Sequence, residues 1–102
     1  MGVDVYRLGE SGDQLEFFAD ADGILKRLIA EAVKSGEMPL LRYVDPYGDT
    51  LFNRLQLPGF VEECRRLLAF AASEEEQAFI QHVIAMGERA DEQIDYVKLV
   101  GD

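Results

Sequence analysis

The sequence predicts an α+β domain: a four- or five-stranded antiparallel or mixed sheet with three helices packed on it, in the order β-β-α-β-β-α-α-β. Three observations carry that prediction. Short β-branched and aromatic runs stand at the start, middle and end of the chain, three longer stretches repeat apolar residues at helical spacing, and turn formers mark the boundaries. Elements mixed in this order pack as one sheet under one layer of helices. With 102 residues, 48% of them hydrophobic, and no repeat, linker or low-complexity tract, residues 1–102 read as one domain that buries a core without metal or disulfide staples.

The first strand is expected near residues 2 to 8, where Val3, Val5, Tyr6 and Leu8 precede the turn formers Gly9-Glu10-Ser11-Gly12-Asp13. Leu15, Phe17 and Phe18 resume the pattern at hairpin distance, giving a second strand near 14 to 19. Asp20 or Asp22 can then cap a helix whose Ile24, Leu25, Leu28, Ile29, Ala32 and Val33 share one face. Lys34 suits its negative dipole end, and Gly36 suits a left-handed stop. Leu40 to Val44 is expected as a strand. Asp45-Pro46-Tyr47-Gly48-Asp49 has type I turn composition, and Thr50 to Asn53 forms a short returning strand.

Pro58 opens a second helix, roughly 58 to 72, with Phe60, Val61, Cys64, Leu67, Leu68 and Ala71 on its buried stripe. Ser73-Glu74-Glu75-Glu76 matches a capping box and starts a third helix that ends near Gln93. On it Phe79, Ile80, Val83, Ile84, Gly87 and Ala90 point inward, and Glu75, Gln81, Glu88 and Glu92 outward. Tyr96 to Val100 closes the fold as a strand, inside the sheet because it is largely apolar.

Twenty Asp and Glu against ten Lys and Arg leave a net charge of −10 near neutral pH. Such a surface repels phosphate backbones and anionic lipid, so neither nucleic acid nor membrane is expected as a partner. The pairs Lys26-Arg27 and Arg65-Arg66 read as solvated helix-face charges. An acidic domain is instead suited to steering toward a basic protein. One cysteine, Cys64, and one histidine, His82, leave no disulfide framework and no Cys- or His-rich metal site. The start has no basic region followed by an apolar run, and no stretch approaches the ~18 apolar residues of a membrane helix. A cytoplasmic protein without cofactor is therefore expected.

The densest chemistry lies around the Asp45 to Asp49 turn, with Tyr47, Asn53 and Arg54 beside it. Two carboxylates four residues apart could ligate a hard cation or act as an acid and base pair, or could simply satisfy the turn's own amides. The spacing lacks the further oxygen ligands of an EF-hand loop. Tyr and Arg there also suit a protein-recognition loop. His82 sits at the edge of the third helix's apolar face, with no nucleophile motif to serve, and reads as a half-buried structural residue. Cys64, on the buried stripe, reads as a small hydrophobe. The acidic side of the third helix, including Glu74, Glu75, Glu76, Glu88, Asp91 and Glu92, is a solvated face or a docking surface for a basic partner.

The segment Pro39-Leu40-Leu41-Arg42-Tyr43-Val44-Asp45-Pro46-Tyr47-Gly48-Asp49-Thr50-Leu51-Phe52-Asn53-Arg54-Leu55-Gln56, with the closing Tyr96-Val97-Lys98-Leu99-Val100-Gly101-Asp102, resembles a group of small uncharacterised bacterial proteins. These look like immunity partners of secreted polymorphic toxins. The resemblance implies a protein that blocks a toxin by binding it, and it brings no catalytic motif. The expectation is a non-enzymatic, immunity-type inhibitor, monomer or homodimer, using Asp45, Tyr47, Asp49, Arg54, Glu75, Glu88 and Glu92. The alternatives are a small metal-dependent hydrolase centred on Asp45, Asp49 and His82, or a structural homodimer.

Overall fold

Alternation in the first eight residues places Val3 and Val5 on one side of a strand, and the rest of the chain is organised by what covers them. The computed structural model describes residues 2–102. Within them, strands β1 (Val3–Leu8) and β2 (Gln14–Phe18) form the expected hairpin, closed by Gly9 N–H donating to Asp13 O at 2.8 Å and by Gly12 at a φ of 88°. Helix α1 (Ile24–Ser35), strand β3 (Asp49–Phe52), helices α2 (Leu57–Leu67) and α3 (Glu74–Gln93), and strand β4 (Tyr96–Gly101) follow. The sheet order is β2-β1-β4-β3, antiparallel throughout. β4 thus lies inside the sheet, as its apolar content predicts.

All three helices pack on one face. Val3, Val5, Phe52, Val97 and Leu99 of the sheet meet Leu25, Leu28, Phe60, Leu67, Ile80 and Val83 of the helices, all buried. Gly87 lets α3 approach α2 closely: a Cβ there would stand 2.8 Å from Val61 Cγ2. Cys64 is fully buried in this core, and burial pushes its thiol pKa well up, with the neighbouring Glu63 charge adding to the rise.

The strand expected over Leu40 to Val44 does not form, so the order is β-β-α-β-α-α-β. Leu41–Tyr43 is instead a 3-10 turn. The cause is a carboxylate that the local pattern does not reveal. Glu63 of α2, 3% exposed, accepts the Leu40 and Leu41 N–H groups at 2.9 to 3.1 Å. Tyr43 N–H then returns to Leu40 O and Val44 N–H to Leu41 O, which leaves these amides no use in a sheet ladder.

Two helix ends also differ in detail from expectation. Gly23, at a φ of 68°, occupies the N-cap of α1, while the Asp20 carboxylate reaches past it to accept from Leu25 and Lys26 N–H and from Val3 N–H, each at 3.1 Å. One buried carboxylate therefore caps a helix and pins the start of β1. Gly36 is extended rather than left-handed. The α3 start follows the capping box with one change: Ser73 Oγ accepts from Glu76 N–H at 3.2 Å, and Glu76 Oε1 reaches back to Ala72 N–H at 2.8 Å. The second helix ends in a 3-10 turn, Leu68–Phe70.

Candidate functional site

Antiparallel sheets with helices on one side usually turn polar residues to the water on the other. This one does not. Residues of the parity opposite to Val3 and Val5 are Tyr6 and Leu8 on β1, and with them lie Phe17 on β2, Tyr96, Lys98 and Val100 on β4, and Leu51 on β3. The registers Tyr6↔Phe17, Tyr6↔Lys98 and Leu51↔Lys98 place Phe17, Tyr6, Lys98 and Leu51 in one row across all four strands. The Tyr6 and Phe17 rings stack at 4.8 Å between centroids, while Phe17 is 44% and Leu51 54% exposed. Leu8 pairs with Tyr96 in the next row and with Gln14 on its other side, the register of β2 slipping there so that Leu15 lies with Arg7, Arg89 and Glu92 instead. No element of the described chain covers this face.

Its rim is acidic. Asp4 and Asp49 flank Val100 in the third outward row, and Glu10 and Asp13 stand in the hairpin turn. The one cation in the middle, Lys98, is held by Asp49 at 3.3 Å. Contiguous apolar surface of this kind, bordered by charge, marks interaction sites on soluble proteins.

The opposite face of the hairpin carries an ion network where the core ends. Glu16 accepts from Arg7 at 2.5 Å and from Arg89 at 2.5 and 2.9 Å, and Arg7 reaches Asp95 at 2.6 Å. The Arg89 guanidinium, with Arg7 beside it, holds the Glu16 carboxyl below the usual range against the opposing effect of burial. These bonds tie β1, β2, α3 and the residue that precedes β4 together.

The residues singled out from sequence are placed apart. Asp45 spends its Oδ1 on Tyr47 N–H at 2.9 Å, and the turn is pressed against β4, where Gly101 N–H donates to Gly48 O at 2.8 Å. A Cβ on Gly101 would stand 2.3 Å from Pro46 C and O. Tyr47 is 74% exposed, with Lys26 Nζ 4.6 Å from its ring centre. Arg54 lies beyond the other end of β3. Glu88 is engaged by Arg65 at 2.6 Å on the α2 side, Glu92 stands one turn on, and Glu75 points instead toward Phe79, His82 and the 19–22 connection. The acidic residues of α3 therefore form no single face.

His82 is exposed rather than half-buried, its ring 5.7 Å from Phe18. It stands beside β2, and Asp49 belongs to β3 at the far edge, some three strand spacings or ~14 Å away. Asp45, Asp49 and His82 are not brought together. Among the described residues no three His, Cys, Asp or Glu side chains gather as a metal site, and no helix is long and apolar enough to cross a membrane.

Sequence reading missed Tyr6, Phe17 and Leu51 as site residues. The signal was present: the strands carry apolar residues at both parities, which a sheet covered on one face only does not need. No protein-family model, curated protein or solved structure matches the chain.

Proposed function

We propose that this is a non-enzymatic binding module that captures a basic protein on the outer face of its sheet. Following the resemblance of the 39–56 segment, its role is that of an immunity-type inhibitor acting in the bacterial cytoplasm. The observation that carries the reading is the uncovered row of Phe17, Tyr6, Lys98 and Leu51. An apolar centre with an acidic rim fits a partner whose own apolar patch is ringed by Lys and Arg. The net charge of −10 speaks against a second copy as occupant, and for a partner of opposite sign. In this reading the scattered carboxylates of α3, Glu75, Glu88 and Glu92 among them, steer the encounter, whereas the sheet supplies the contact. The exposed Tyr47 and the carboxylates Asp45 and Asp49 border the contact at one end, and Arg54 at the other.

The test is recovery of bound protein from native lysate at low and moderate salt, with three forms of the bait. Phe17→Glu and Leu51→Glu are expected to abolish stoichiometric capture of one basic protein. Replacement of Glu75, Glu88 and Glu92 by Lys is expected to slow association and weaken its salt dependence while capture persists. Capture that ignores the sheet variants and vanishes with the helix variants would move the site to α3.

A further inference from the structure

Strand β2 is an edge of the sheet, and the alternation of antiparallel bonding fixes which of its backbone groups are free. Val3 N–H donates to Asp20 Oδ2 at 3.1 Å and Gly9 N–H to Asp13 O at 2.8 Å, so β1 residues of that parity turn their amides toward β2. Gly101, opposite Val3 on β4, turns its own N–H the other way, to Gly48 O, as the alternation requires. The pairs Val5↔Phe18 and Arg7↔Glu16 are therefore the bonded ones, and Tyr6↔Phe17 between them is not. The N–H and C=O of Phe17 point out of the sheet edge, and neither is used by a turn, loop or cap of the described residues.

Edges of this kind are commonly blunted by proline or lysine or covered by a loop. β2 has no proline or lysine, and its one charge, Glu16, belongs to a network whose two cations, Arg7 and Arg89, match its two carboxylates, Glu16 and Asp95. The register slip falls at the first residues of β2 and leaves Glu16 to Phe18 regular. The other edge, β3, is less open: Asp45 N–H donates to Thr50 Oγ1 at 3.0 Å and holds the segment before the turn against it.

We infer that an extended segment of the bound partner, with basic residues at its ends, adds antiparallel to the sheet at β2 and exchanges backbone hydrogen bonds with Phe17. The inference rests on the protein-binding reading and deepens it. Free backbone groups on a sheet edge select extended backbone as the occupant. The residue set opposite Phe17 turns its side chain to the outer face, so an apolar one there prolongs the row Phe17, Tyr6, Lys98 and Leu51. Charge selects the ends. Exposed Asp13 stands at one end of β2, and Asp22 and Glu75 line the recess at the other; none of the three is paired with a cation among the described residues. Pairing with a second copy would set these carboxylates against each other in either strand direction, whereas lysine or arginine at both ends of the segment meets them.

The probe is the peptide acetyl-Lys-Val-Thr-Val-Thr-Val-Lys-amide, titrated into the full chain at low salt while amide hydrogen exchange is followed by NMR. In the free chain Phe17 N–H should exchange fast, and those of Glu16 and Phe18 slowly. Saturating peptide should slow the exchange of Phe17 by about tenfold or more. With the valines facing outward beside Phe17, their nitrogens point at β2 and those of the threonines point away. Methylation of the valine nitrogens should therefore weaken binding about tenfold or more, and methylation of the threonine nitrogens should leave it unchanged. Glutamate in place of both lysines should also weaken it. Phe17→Pro removes the free donor and leaves the β1 pairs in place, so it should bind the peptide about tenfold more weakly than Phe17→Ala. Equal binding of the two methylated forms, or no slowing at Phe17, would overturn the assignment. Slow Phe17 exchange in the free chain that deepens with protein concentration would give the edge to a second copy and overturn it too. If the peptide fails while Leu51→Glu still abolishes partner capture, the edge assignment falls and the sheet-face reading stands. If the peptide seats on β2 while capture ignores Leu51→Glu, the reverse holds.

Discussion

Single carboxylates do much of the positioning in this protein, and their removal has calculable consequences. Glu63 satisfies one buried and one part-buried amide, so Glu63→Ala should cost roughly 2–3 kcal/mol and Glu63→Gln distinctly less, because one carbonyl oxygen survives. Urea unfolding checks this: the midpoint should fall at constant m-value. Glu16 carries a pH dependence. Its folded pKa lies below the ordinary glutamate value of 4.5 because Arg89, and then Arg7, favour the ionised form. A depressed folded pKa contributes stability that is present above the unfolded value and is lost as pH falls through the folded one. The melting temperature of the native protein should therefore drop through the acid range below about 4.5, and Glu16→Gln should lower it at neutral pH while flattening that acid limb. An unchanged acid limb in the variant would remove Glu16 from the account.

At the scale of elements, the helices were legible because their signals are local. The i, i+4 stripes of α1 and α2, the Pro58 start and the Ser73 cap each specify structure within a few residues, and the structure follows them. Leu40 to Val44 was not legible, because its conformation is decided by Glu63, more than twenty positions away in sequence and reached only once α2 has docked. The binding face was half legible: apolar residues at both parities of β1, β2 and β4 are visible in the sequence, but which parity the helices leave bare depends on the tertiary arrangement. The acidic residues of α3 misled in the opposite sense, since charge is countable in sequence while its division among Arg65, the 19–22 connection and solvent is not. Ile94 gives the element-scale prediction. Ile94→Gly should stabilise the α3 end by roughly 0.5–1 kcal/mol, the left-handed strain removed less the added chain entropy of glycine. Thermal unfolding would register it as a rise in melting temperature, and a fall would mean that the contacts of Ile94 outweigh its strain.

For the whole molecule, two terms of opposite sign act on self-association. The uncovered sheet face favours pairing with another apolar surface, a second copy included, and so does the exposed edge strand β2. The net charge of −10 opposes it, because two copies meeting face to face bring the acidic rims Asp4, Asp49, Glu10 and Asp13 together. Screening decides between them: the Debye length shrinks from about 30 Å at 0.01 M salt to about 8 Å at 0.15 M, so repulsion between copies weakens while the apolar term does not. Sedimentation equilibrium should accordingly report a monomer at low ionic strength and a weak, concentration-dependent rise toward twice the chain mass only at high salt. Leu51→Glu should remove that rise by charging the centre of the face. A dimer at low ionic strength that is insensitive to salt and lost with Leu51→Glu would identify the face as a self-interface, and the occupant argued above would then be this chain rather than a basic partner.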